Sequence, residues 1–131
     1  MSCLSEVQVN ELKTRAIEEF LQKDIDGWIP GDFIWSHYLR GKCDEVSSIV
    51  CRIAKEEYNI LDEDNVVIYG LIRFNFGDKE NPRTGGDAHP YNVINGRIVD
   101  ATFDQFYDKY SVTDIFNVEY FKEDGLTPYD Q

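Results

Sequence analysis

The stretch Ala88–Thr102, AHPYNVINGRIVDAT, decides how this chain folds. Asn95-Gly96 is the pair best suited to a two-residue type I′ turn, where both residues take positive φ. The flanking runs Ala88–Ile94 and Arg97–Thr102 are rich in strand-forming residues, so the segment is expected to be an antiparallel hairpin. The turn sets the register. Ile94 faces Arg97, Val93 faces Ile98, Tyr91 faces Asp100 and His89 faces Thr102. Side chains alternate faces with period two. One face therefore carries His89, Tyr91, Val93, Ile98, Asp100 and Thr102. The other carries Pro90, Asn92, Ile94, Arg97, Val99 and Ala101. His89 and Asp100 are diagonal neighbours about 7 Å apart, near enough for their side chains to meet. The face they share is polar at that end, and Val93 and Ile98 are expected to pack in the core at the other.

Upstream, Val66–Phe76 (VVIYGLIRFNF) reads as a second strand. Gly77–Asp87 (GDKENPRTGGD) reads as a loop. From Cys43 to Tyr58 the pattern is helical, with Val46, Ile49, Val50, Ile53 and Glu57–Tyr58 recurring along one stripe. Asp44 and Glu45 fall in its first turn, where the macrodipole favours acids. Asn59–Asn65 is a polar connection. Ser5–Lys23 reads as a further helix, opened by a capping-box pair, Ser5 and Gln8. Gly27, Pro30 and Gly31 break Asp24–Asp32, and Gly41 marks another break. Phe33–Leu39 has no assigned state. Downstream, Phe103–Val118 admits a short helix or a strand, and the acidic tail from Glu119 is expected to end loosely. The fold class expected is α+β, a helix packed on an antiparallel sheet. One domain spans 1–131 with its core at about 41–106.

The chain has 131 residues, 42% hydrophobic and 14% aromatic, which suits one globular core. Against 13 Lys+Arg stand 25 Asp+Glu, a formal charge of −12. That argues against nucleic acid and anionic membranes as partners, since both need a basic face. No apolar run approaches the ~20 residues of a membrane span. Met1–Gln8 lacks the features of a signal peptide. A cytoplasmic location is therefore expected, with reduced thiols. Cys43 and Cys51, eight residues apart on one helix, would lie about 12 Å apart, beyond disulfide reach. Neither a metal-ligand spacing nor a phosphate loop occurs, so no cofactor is expected.

The chemistry gathers around Cys43. A thiol at a helix N-terminus meets free N–H groups and the positive end of the dipole, which favour a thiolate. A nearby imidazolium adds to that effect. The same N–H groups suit a developing oxyanion. The segments GKCDEVSSIV and DAHPYNVINGRIVDATFDQF, with Cys43, His89 and Asp100 in that order, resemble the transglutaminase-like branch of the papain-like cysteine hydrolases. The likeness covers about Gly41 to Phe106. It implies a papain-like core, with Cys43 as nucleophile, His89 as general base and acid, and Asp100 as the carboxylate that orients it. It also implies an upstream oxyanion donor, for which Trp35, His37 and Tyr38 are the candidates and Trp35 is preferred. Tyr91 and Gln105 are candidate substrate contacts. The sequence departs from the family pattern at Pro90, where a bulky aromatic is usual.

Each of these residues has a plainer explanation. A cysteine near a helix start is more often a small buried residue, and a histidine after Gly85-Gly86-Asp87 more often a turn residue. Gly85-Gly86 is expected to lend mobility to a loop beside the site. Cys51 and Cys3 are taken as incidental thiols. Two functions follow. One is a thiol hydrolase or acyltransferase acting on an amide of a protein or peptide with basic residues: a peptidase, a glutamine deamidase or a transglutaminase. The alternative is a non-catalytic acidic binding module or inhibitor that engages a basic protein partner, by mimicry of nucleic acid.

Overall fold

The computed structural model describes residues 4–25 and 43–129. Helix α1, Glu6–Ile25, starts at the expected capping box. Ser5 N–H donates to Gln8 Oε1 at 2.9 Å, and Gln8 N–H donates to Ser5 Oγ at 3.1 Å. The helix runs on through Asp24 and Ile25, the first two residues of the expected break. The remainder of that break, Phe33–Leu39, Gly41 and Cys3 lie outside the described residues.

Helix α2, Cys43–Tyr58, has the expected bounds. Val46, Val50 and Ile53 are buried, joined by Ser47 and Ala54. Glu57 is not part of that stripe. It is exposed and pairs with Arg15 of α1. Glu19 pairs with Arg52, and Tyr58 donates to Glu11, so the two helices run antiparallel. These surface pairs each contribute little to stability. The cohesion comes from Val9, Leu12, Ala16, Phe20 and Leu21 of α1 packed on the α2 stripe.

A 3-10 turn, Asp62–Asp64, leads into a sheet of four antiparallel strands in the order β3-β2-β1-β4. These are β1 Asn65–Phe76, β2 Arg83–Ile94, β3 Arg97–Val99 and β4 Ile115–Phe121. Asn92 pairs with Val99, Val93 with Ile98 and Ile94 with Arg97, which is the expected register. Asn95 at φ 51° and Gly96 at φ 79° make the primed turn. Among the described residues no helix is long and apolar enough to cross a membrane.

The structure corrects or refines five expectations. First, Arg83–Asp87 is strand rather than loop, paired with Ile72–Phe76 of β1. Gly86 is small for a packing reason, because a Cβ there would sit 2.6 Å from the Ile72 carbonyl oxygen. The glycine pair therefore serves tight pairing rather than loop mobility. Second, β3 stops at Val99, and Asp100 leads into a turn. Third, the helix and the strand offered as alternatives for 103–118 are both present, in series, as α3 (Gln105–Lys109) and the start of β4. Fourth, the tail is folded as far as Tyr129 rather than loose. Tyr129 N–H donates to the Tyr120 carbonyl and Lys122 N–H to the Thr127 carbonyl, folding the chain back on β4.

The fifth concerns the two faces of the sheet. Helices α1 and α2 cover the face of Asn92, Ile94 and Val99. Asn92 Nδ2 donates to the Ser47 carbonyl of α2 at 2.9 Å. The His89 face has its own cover. Ile72, Phe74 and Phe76 pack there with Phe106 of α3, Tyr110, Ile115 and Tyr120. Val93 is buried as expected, but Ile98 is only half-buried. With both faces covered, β2 reads as a buried strand along Tyr91–Ile94 rather than as an alternating one.

Candidate active site

Three local structures converge on His89. The first is the hairpin. Because β3 pairs only with Asn92–Ile94, the part of β2 around His89 has no β3 residue beside it. The second is α2, whose first turn holds Cys43. The third is α3, which follows the turn after Asp100.

His89 is 1% exposed. Its Nε2 lies 2.8 Å from Asp100 Oδ2, and the Asp100 side chain is 6% exposed. The diagonal contact expected from the turn is therefore made. Cys43 lies beside the same ring, on the wall of one cavity. Burial opposes the charged imidazolium, but hydrogen bonds to Asp100 and Cys43, and the charges on both, outweigh it and raise His89 to about 9. The ring also packs edge-on against Phe106, with centroids 5.1 Å apart.

A cavity of about 440 Å³ opens at this junction, lined by Cys43, Asp87, Ala88, His89, Gln105, Phe106 and Lys109. Both Cys43 and His89 thus reach a volume that a substrate side chain could enter. Lys109 pairs with Asp87 at its rim. Gln105 is buried, and its Nε2 donates to the Thr102 carbonyl at 3.0 Å.

Cys43, His89, Asp100 and Gln105 are thus brought together. Tyr91 is not among the cavity's lining residues. It is buried, its hydroxyl donates to the Phe121 carbonyl at 2.7 Å, and its ring packs on Tyr120 at 4.8 Å. Burial, with the charges of Tyr129 and Glu123, pushes that phenol up to about 12. Trp35, His37 and Tyr38 lie outside the described residues. Cys51 is half-buried and donates to the Asn65 carbonyl, away from the cavity.

Sequence reasoning missed Tyr120, whose hydroxyl donates to Asp100 Oδ2 at 2.7 Å. The only available signal was the strand character of Ile115–Phe121, and the pairing of that strand with β1 cannot be read from local pattern. Among the described residues, no group of three His, Cys, Asp or Glu side chains is placed to hold a metal ion. No protein-family model, curated protein or solved structure matches this chain.

Proposed function

We propose that the chain is a thiol hydrolase or acyltransferase that attacks an amide carbonyl through Cys43, His89 and Asp100. The observation that carries this reading is the buried imidazole bonded to Asp100 Oδ2 and set beside the Cys43 thiol at the wall of an open cavity. A histidine kept only for packing does not need both partners. The mixed helix-and-sheet architecture, with Cys43 in the first turn of a helix and His89 and Asp100 flanking a hairpin, supports a papain-like core of the transglutaminase-like kind.

In the reaction, Sγ of Cys43, its proton already held on the charged His89 ring, attacks the carbonyl carbon. The C–N bond breaks, and the amine leaves with the proton that His89 returns. A thioacyl group stays on Cys43. Water or an amine then gives its proton to His89 and adds to the thioester, and the C–S bond breaks. Asp100 orients the ring towards the sulfur and stabilises its charge. Backbone N–H groups of the first turn of α2 are the candidate oxyanion donors. The charge of −12 favours a protein or peptide substrate with basic residues.

Iodoacetamide labelling followed by peptide mass mapping tests the proposal. Cys43 is expected to react faster than Cys51 and faster than a small-molecule thiol at neutral pH, and His89→Ala is expected to slow it. Equal, slow labelling of all three cysteines would leave only the acidic binding module. That reading predicts salt-sensitive binding to a basic protein that survives Cys43→Ala.

A further inference from the structure

Asp100 Oδ2 accepts two hydrogen bonds, one from the His89 ring and one from the Tyr120 hydroxyl at 2.7 Å. The hydroxyl is not there by loose proximity. Tyr120 lies in β4 opposite Ile72 of β1. Gly70, two residues earlier in β1, lets β4 come unusually close, since a Cβ at that position would sit 1.9 Å from the Phe121 carbonyl oxygen. That same oxygen accepts the Tyr91 hydroxyl, while the Tyr91 ring packs against that of Tyr120. From the far side, Tyr129 N–H holds the Tyr120 carbonyl at 2.8 Å. The returning segment is itself pinned by Asp124, which accepts from the N–H groups of Leu126 and Thr127. Burial and the neighbouring Asp100 push the Tyr120 phenol up, so it stays neutral and remains a donor.

We propose that Tyr120 is a positioning residue of this site: its hydroxyl holds the Asp100 carboxylate in the orientation that keeps the His89 ring turned towards Cys43. The inference rests on the proposed function and adds β4 and the returning C-terminal segment to the machinery. Asp100 lies just beyond the end of β3, ahead of the turn at 101–104, so the strand ladder does not fix its side chain. The Tyr120 hydroxyl supplies that restraint. Buried hydrogen-bonding partners of this kind, one step removed from the reacting group, affect chemistry without touching substrate.

The test is Tyr120→Phe, read by NMR titration of His89 and by the pH profile of Cys43 alkylation. The chain has two histidines, so His37→Gln assigns the His89 signal. The variant is expected to titrate His89 at lower pH and to slow labelling at pH 7 about tenfold, in line with the loss of other such partners. The rise in labelling rate should move to higher pH. On an Asp100→Asn background Tyr120→Phe should add nothing, because its path through the carboxylate is gone. An unmoved His89 titration overturns the proposal. So does a full-sized effect on the Asp100→Asn background, which would indicate general loosening. Should Tyr120→Phe not fold, Tyr91→Phe, which frees the Phe121 carbonyl beside Tyr120, should move the His89 titration in the same direction by less. No movement there also overturns the proposal. The titration does not depend on reactivity: if His89→Ala fails to slow labelling, the proposed function falls while the Tyr120 result still stands or fails by itself.

Discussion

Replacing Asp100 by Asn is the sharpest test of the electrostatics at this site. The carboxylate contributes a hydrogen bond and a charge to a ring that is otherwise buried, and burial by itself works against the imidazolium. With Asp100 in place His89 lies at about 9, against an ordinary 6.5. At about 1.4 kcal/mol per pH unit, that gap amounts to about 3 kcal/mol in favour of the charged ring. Asn keeps the shape but removes the charge, leaving the Cys43 contact alone to oppose burial. His89 in Asp100→Asn is therefore expected to titrate well below 9. The assay is the pH dependence of the His89 ring proton shift, followed from pH 5 to 10. If His89 in the variant still titrates near 9, the carboxylate is not what holds the proton, and the account of the site fails.

The same contact makes stability depend on pH. A histidine raised above its unfolded value contributes stability that is fully present below about 6.5 and lost as pH rises through about 9. Urea midpoints of the native chain should therefore fall more between pH 6 and pH 9.5 than those of His89→Gln, and parallel curves would contradict this. Gly70→Ala should cost more than about 2 kcal/mol in urea unfolding, as a severe core overlap does, because the new Cβ meets the Phe121 backbone rather than a flexible side chain. Asn92→Ala leaves the buried Ser47 carbonyl without the donor that links β2 to α2, and about 1–3 kcal/mol should be lost in the same assay. Ser5→Ala removes one half of the α1 capping box and should cost about 1 kcal/mol, visible as reduced helicity or a lower midpoint.

Short-range chemistry was legible in the sequence. Asn95-Gly96 can hardly adopt any other tight turn, and the turn carries the register of Asn92–Ile94 against Arg97–Val99 with it. That register put His89 and Asp100 on one face as diagonal neighbours, although the ladder ends at Val99 and Asp100 lies just beyond it. Ser5 and Gln8 marked the start of α1, and the spacing of Val46, Val50 and Ile53 marked α2, for the same local reason. Contacts between distant elements were not legible. Arg83–Asp87 looks like a loop because its glycines disfavour a strand, yet β1 pairs along its whole length and needs small residues there. The acidic composition of Glu119–Tyr129 suggests a loose end, but backbone bonds to β4 and the Asp124 turn hold it folded.

What the sequence by itself determined is the hairpin, the two helices and the shared face of one imidazole and one carboxylate. Each is set within a turn or two of chain, where sterics and alternation leave little choice. Tertiary structure alone decided that α2 covers the Asn92 face while its first turn still reaches His89, and that β4 brings Tyr120 to Asp100. Those placements depend on which surfaces are buried against which. Packing of that kind settles only when the whole chain has closed, since no short segment carries the partner it will meet.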